Sequence, residues 1–498
     1  MGTKAWVLLN SKNIPALRMP AMIAVGKYIH MVGGCTDPFL NTPTSSHYIY
    51  NNDTDTWLTS GVTIPKALGD GFNIPSLNNT GYQMTPVCPQ PKLKHWYDSA
   101  LGINKLILYS GVDNTPTQTF TSSGSFNKNV YVLNLDINGL PASGAVWETF
   151  FTINFTDVPS NHPTSIELYK NISGVWKAYI FQGNYVKSSP CYINELSDLV
   201  GIYNSNKGST QTPTSIKDIR LRSNNPNAYY IITINTAMIG DTIYYKMHGS
   251  IQDTTIYTIT TSSASAVYDL YGNNVVYSFN VNTPDVLNVN IHYLLGTVGQ
   301  VGFGIPTNPW FIFGKYVVLD NSRFSSGILG ISLYNSYQQP NPSYIFDILG
   351  KIPTSINTSN YNDVNLKSYQ HGLCTNNHEI FCYGGFSNTA YPNLTTDFQN
   401  KFMKMTWKLT APTINSLSLS GNNPLINFTD TSTDEQFFII EKRELESDIW
   451  TNAFTDQREL STNSTIGTGG VYNIVLTDID VLTAPNYFFR VKSKRVDI

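Results

Sequence analysis

Histidines, cysteines and paired carboxylates are the residues of this 498-residue chain that could bind a metal or move a proton. Their spacing does not gather them. His30, His47, His95, His162, His248, His292, His371 and His378 are scattered singly. His371 and His378 stand closest, across a turn, and read as loop histidines rather than ligands. His30 lies in an apolar strand beside a glycine pair, where a hydrogen-bonded core histidine is the ordinary reading. Cys35, Cys88, Cys191, Cys374 and Cys382 contain no C-x2-C pair, which argues against zinc. Buried thiols are expected, with a Cys374–Cys382 bridge as the alternative. Asp53/Asp55 and Asp434-Glu435 read as turn chemistry, since Asp caps loops by accepting from its own backbone. Calcium ligation is the alternative use of the same oxygens. Arg220 and Arg222 lie close together while Arg18 and Arg323 stand alone, so no arginine cluster for a carboxylate forms. No G-x-S-x-G elbow, P-loop or H-E-x-x-H is present. The expectation is therefore no catalytic residue, no cofactor site and no metal site.

Composition narrows the class. Charged residues are 13% of the chain, against ~25% in an average soluble protein. Asn, Ser, Thr, Tyr and Gly take their place, which suits β-structure with long polar loops. A net charge of −3 gives no reason to expect nucleic acid as a partner. No segment reads as membrane-spanning, and Lys4 is followed only by the short apolar run Ala5 to Leu9, which falls short of a signal-peptide core.

The elements that must position any site recur along the chain. The apolar run Tyr28 to Val32 ends in Gly33-Gly34, and Tyr50 then stands six residues before Trp57. The glycines allow a tight bend where no side chain fits. The spaced rings are expected to pack between neighbouring sheets. Similar apolar runs end in glycine at Gly111, Gly183, Gly249, Gly314 and Gly384-Gly385. Strand patterns follow at NVYVLNL, VYSFNV and KFMKMTWKL, the last reaching Trp407. This order resembles the kelch repeat, one four-stranded blade of a β-propeller. The resemblance implies an all-β, six-bladed kelch-like propeller over residues 1–409. Its fourth blade keeps the spacing but not the Tyr/Trp pair. Trp6, in KAWVLL, implies ring closure: residues 4–9 form a strand beside 400–409 and remove a sheet edge. The structural residues so implied are Gly33, Gly34, Tyr50, Trp57, Gly384, Gly385, Trp407 and Trp6.

From Thr410 the character changes. APTINSLSLSG, PLINFTDTSTDEQFFIIEKRE and YFFRVKSK together resemble a fibronectin type III domain over 410–498. Phe428 takes the place of that family's core tryptophan. Alternation puts Phe438 and Ile440 on one face and Phe437 and Ile439 on the other. A linker of two or three residues implies a near-fixed angle to the ring. The family ends in a further strand, for which only Arg495 to Ile498 remain. Either the piece is truncated or its last strand very short, or a strand from a neighbouring molecule completes the sheet.

Copper oxidases of the galactose oxidase type are built on kelch rings, and no clear equivalent of their two histidines, two tyrosines and cysteine can be assigned. Asn52 to Trp57 only faintly echoes the Ser-x-Asp-x-Gly-x-Thr-Trp loops of sialidases. The architecture and composition point to a non-enzymatic structural or attachment protein of a virus or phage particle, such as a tail, fibre or surface decoration, or of an extracellular appendage. Its expected partners are other structural proteins of the assembly, copies of itself, and a cell-surface glycan or protein receptor. Loop aromatics Phe72, Tyr82, Phe120, Phe126, Tyr337 and Tyr344 are the candidate contacts. The expected location is the virion or an extracellular surface, with the cytoplasm as alternative. Two alternatives to this function stand: an intracellular kelch adaptor, and a carbohydrate-active or galactose-oxidase-like propeller enzyme.

Overall fold

The computed structural model describes most of residues 6–222, 372–406 and 411–494, with the strands alone for most of 233–355; the intervening loops, including 70–89, 114–126, 320–343 and 356–371, lie outside the described residues. Among the described residues the fold is all-β apart from one short helix, Leu199–Ser205. Asp198 caps that helix by accepting from the Gly201 amide at 3.0 Å.

Six sheets follow one another along the first four-fifths of the described chain. The first pairs Ala21–Val25, Tyr28–Val32, His47–Asn51 and Thr56–Leu58 in sequence order. The second pairs Pro91–Asp98, Ile103–Ser110, Asn129–Leu135 and Glu148–Ile153, with Thr210–Gln211 added in parallel. The third pairs His162–Lys170, Trp176–Gly183, Cys191–Ser197 and Thr214–Arg222, extended by Tyr257–Thr260 and Ser265–Tyr268. Thr233–Ile239, Thr242–His248, Val275–Asn280 and Asn290–Tyr293 form the fourth. Trp310–Phe313, Tyr316–Leu319, Tyr344–Asp347 and Ile352–Ser355 form the fifth. The sixth joins Gly372–Thr375, Glu379–Tyr383 and Phe402–Thr406 to Trp6–Leu9 from the other end of the chain. The pairing expected between residues 4–9 and 400–409 is thus present, antiparallel, with Trp6 opposite Met405 and Leu9 opposite Phe402.

Leading strands of successive sheets lie side by side. Ala21–Val25 sits between Gly372–Thr375 and Pro91–Asp98; His162–Lys170 follows, then Thr233–Ile239, then Trp310–Phe313. Apolar layers fill the seams. Ile23, Val25, Leu93, Leu106 and Leu133 pack between the first and second sheets, and Trp96, Ile107, Phe150, Ile166 and Ile180 between the second and third.

The expected glycine marks fall after the second strand of a sheet at Gly33-Gly34, Gly111 and Gly384-Gly385. In the fifth sheet the WFIF run is the first strand, Trp310–Phe313, so that repeat is offset from the others. Glycine is demanded at two marks. A Cβ on Gly34, at φ +91°, would lie 2.9 Å from the Arg18 carbonyl oxygen. A Cβ on Gly384, at φ +76°, would lie 2.1 Å from the Leu17 carbonyl oxygen.

The last two sheets form a separate core. Thr413–Ser420, Asn423–Thr429 and Val471–Val475 make one; Phe437–Glu444, with Thr451–Asn452, Leu460–Ser461 and Tyr487–Lys494, makes the other. Phe428, Phe438, Ile440, Phe454, Leu476 and Val491 fill the space between them. Phe438 and Ile440 point inward and Phe437 and Ile439 outward, as alternation requires. Trp407, the linker at 407–410, the Asp434-Glu435 turn and 495–498 lie outside the described residues.

Candidate functional site

The seam between the first and sixth sheets uses the residues expected of it. Tyr50 is buried, and its ring meets Phe402 edge-on at 4.7 Å. Trp57 lies 5.2 Å from Tyr50, 5.2 Å from Phe402 and 5.7 Å from Tyr383. Asp55 accepts from the Tyr50 hydroxyl at 2.6 Å and from the Asn10 amide at 3.0 Å, while the Trp57 indole donates to the Asn10 carbonyl at 2.6 Å. The turn reading of Asp53/Asp55 therefore needs enlarging, because Asp55 also ties the N-terminal segment to the first sheet. Burial pushes the Tyr50 and Tyr383 hydroxyls far above the ordinary phenol range, so both stay protonated and able to donate. Tyr383 donates to the Pro15 carbonyl at 2.9 Å. Arg18 is fully buried, donates to the Asp37 carbonyl at 3.1 Å and serves structure. Among the described residues this seam fastens and has no group placed to react.

Charged residues collect instead on the second and third sheets. Asp98 and Lys105, both fully buried, pair at 2.5 Å across their hairpin. The Lys105 ammonium also faces the rings of Trp96 at 4.5 Å and Tyr203 at 3.8 Å. Burial pulls the Lys105 ammonium below the usual lysine range, with Asp98 opposing. Lys94 reaches from the leading strand of the second sheet to that of the third, and donates to both Glu167 oxygens at 2.9 Å. Lys92, two residues back on the same face, is half-buried. Desolvation and the neighbouring Lys94 charge bring its ammonium down to about 7, against the pull of Glu167.

Glu167 belongs to a cross-strand row on the third sheet. It stands opposite Tyr179, which stands opposite Glu195. Lys177 pairs with one Glu195 oxygen, so each glutamate in the row has its own lysine. Tyr179 is fully buried, and burial together with the Glu195 charge drives its hydroxyl well above the normal phenol range. Two carboxylates flanking a protonated phenol, with a cation at each end, form a polar layer that an apolar seam does not require. Sequence reasoning missed this row. Its only signal is a glutamate interrupting each of two strand patterns, IELY and YINEL.

Of the expected contact aromatics only Tyr344 falls within the described strands. Phe72, Tyr82, Phe120, Phe126 and Tyr337 lie outside the described residues. Tyr344 is corrected: it opens the strand Tyr344–Asp347 of the fifth sheet, paired on both sides, rather than standing in a loop. Cys35, Cys374 and Cys382 are buried thiols, and no Cys374–Cys382 bridge forms. His371 and His378 are outside the described residues, as are Asp434 and Glu435. No helix among the described residues is long and apolar enough to cross a membrane.

No protein-family model matches the chain, and no curated protein is detectably similar to it. Solved structures do match. A fungal alcohol oxidase of the AA5 family, in complex with copper, is 11% identical, with 99% of this chain and 96% of that one covered at a TM-score of 0.41. A GH43_12 protein retrieved from a capybara gut metagenome is 10% identical over 99% of this chain and 95% of its own, at 0.29. The endo-arabinase of Bacteroides thetaiotaomicron VPI-5482 is 12% identical, covering 60% of this chain and all of its own, 100%, at 0.26. These scores carry no residue role across. The expectation of a non-enzymatic chain is corrected to this extent: the matched structures include an alcohol oxidase and an endo-arabinase, so they lend it no support. None of them supports a particle or tail role.

The copper of the first match can be tested against the residues here. Among the described residues, no group of three or more His, Cys, Asp or Glu is placed to hold a metal. His30 and His47 direct their ring nitrogens at each other and at backbone groups. Tyr50 and Tyr383 donate elsewhere, and Cys374 packs in the apolar cluster between the first and sixth sheets. The described residues do not fit that site.

Proposed function

We propose that the chain is a carbohydrate-active β-propeller: six kelch-like sheets about one axis, closed by Trp6–Leu9, and followed by a fibronectin type III-like sandwich. Support for the ring comes from the side-by-side leading strands, the shared sixth sheet and the glycine marks. A chain poor in charge and rich in Asn, Thr and Tyr suits a neutral polyhydroxy ligand, which is bound by hydrogen bonds and ring stacking.

The observation that carries the chemistry is the row Glu167–Tyr179–Glu195. Glycosidic cleavage needs two carboxyl groups, ~6.5–9.5 Å apart when water attacks directly. Two strand spacings separate Glu167 from Glu195, roughly 9.5 Å. Glu167, gripped through both oxygens by Lys94, suits the base that takes a proton from water. Glu195, paired with Lys177 through one oxygen, is the second carboxyl group, and it must take up a proton on its other oxygen when substrate binds before it can protonate a leaving sugar oxygen.

The test is reducing-end release from arabino- and galacto-oligosaccharides by the full chain, with peroxide followed in parallel. Release by the native chain is expected, falling by ~10²–10⁴ in both Glu167→Gln and Glu195→Gln at unchanged circular dichroism. Calorimetric binding without release would reject the chemistry and keep the ring as a binder. Peroxide production would replace hydrolysis with oxidation. No binding and no release would reject the proposal.

A further inference from the structure

We infer that His30 and His47 form an acid-sensitive clasp that holds the first sheet to the second. His30 Nδ1 lies 2.9 Å from His47 Nε2, and His30 Nε2 lies 2.8 Å from the Gly139 carbonyl oxygen. The Val62 amide points at His47 Nδ1 from 3.3 Å. These partners settle the tautomers. A backbone N–H only donates, so His47 Nδ1 is bare and its proton sits on Nε2. That proton is donated to His30 Nδ1, which leaves the His30 proton on Nε2, donated to Gly139. One directed chain, Val62 to His47 to His30 to Gly139, uses every ring nitrogen with both rings neutral.

An added proton has no place in that chain. On His47 Nδ1 it meets the Val62 N–H; on His30 Nδ1 it meets the proton of His47 Nε2. Either breaks a buried hydrogen bond and sets two donors against each other.

The clasp joins elements 109 positions apart in sequence. Gly139 is the tip of the turn after Asn129–Leu135, and a Cβ there would lie 3.0 Å from the Val25 side chain of the first sheet. Asp136 shapes the turn by accepting from the Asn138 and Leu140 amides at 2.9 Å. Trp147 donates to the Val62 carbonyl at 2.9 Å, and its ring lies 5.8 Å from that of His47. The titratable neighbours that act on the pair are each other and His95, on the leading strand of the second sheet. Among the described residues, no carboxylate or ammonium bonds either ring.

Burial lowers His30 to about 4 and His47 well below the usual 6.5, with the Gly139 and Val62 bonds opposing. The folded chain therefore binds these protons less readily than the unfolded chain. The clasp is intact above about pH 6.5 and is lost as pH falls toward 4.

Hydrogen exchange of the full chain at pH 7.5, 6, 5 and 4.5, corrected for intrinsic rates, tests this. Protection over 62–69 and 136–147 is expected to drop at least ten-fold between pH 7.5 and 4.5, relative to the sandwich core at 426–440. Nitrogen-15 histidine spectra of the native chain should show both rings as Nε2–H tautomers at pH 7.5, so the test does not depend on a variant folding. His47→Gln should flatten the pH dependence of exchange, and His95→Asn should leave it unchanged. Uniform loss of protection, an Nδ1–H tautomer at either ring, or an unaltered profile in His47→Gln overturns the clasp.

Discussion

The seam between the first and sixth sheets and the charged layer of the second and third sheets solve opposite problems. The seam joins the two ends of the main fold and does so with rings: Tyr50, Trp57, Tyr383 and Phe402 within 4.7–5.8 Å of one another. Their hydroxyls and indole are spent on Asp55, Pro15 and Asn10. Such packing is strong, water-excluding and chemically inert. The layer a few strands away buries Asp98, Lys105 and Glu167 in surroundings where apolar residues of the same volume would fold as well or better. Paired buried charges give little net stability, so their presence points to a use other than stability. The difference teaches where to look: the aromatic seam accounts for how the N-terminal strand is held to the sixth sheet, and the charged layer is where the proposed chemistry stands.

Breaking one partner of a buried pair should have the largest effect. Asp98→Ala leaves the Lys105 ammonium unpaired among Trp96 and Tyr203, and is expected to cost about 3–5 kcal/mol in denaturant unfolding. The double change Asp98→Leu with Lys105→Met should recover most of that loss. If the double variant is as unstable as the single, charge burial is not the cause.

Trp57→Ala removes the ring that meets those of Tyr48, Tyr50, Tyr383 and Phe402, and should cost about 3 kcal/mol because the cavity opens at the seam. Its signature is kinetic as well: loss of the Asn10 contact frees Trp6–Leu9, so exchange of residues 6–9 should rise before that of the second sheet. Unchanged exchange there would separate the aromatic seam from closure.

Tyr50→Phe is the smallest test. It deletes one hydroxyl bond to Asp55 and keeps the ring, for an expected loss of about 1 kcal/mol by thermal unfolding. A loss as large as that of Trp57→Ala would mean that Asp55, rather than the rings, holds the seam.

Much of the fold was legible in the chain because strand patterns, glycine turns and ring spacing are local. The run Tyr28–Val32 with Gly33-Gly34, the Tyr50/Trp57 pair, and the inward set Phe428, Phe438 and Ile440 all sit where local rules put them. The fifth sheet shows the limit. Its glycine follows the first strand, since an apolar run ending in glycine does not say which strand of a sheet it is. The site was less legible still: the aromatics chosen from loop composition lie outside the described residues except Tyr344, and the charged row came from pairings between strands.

What the sequence determined by itself is the all-β character, the strand runs and the turns, because backbone preference and side-chain alternation act over a few residues. Only the tertiary structure decided which polar groups meet. Lys94 and Glu167 are 73 positions apart, and His30 finds the Gly139 carbonyl across 109. Those encounters depend on how one twisted sheet settles against the next, and no periodicity within either strand encodes that placement.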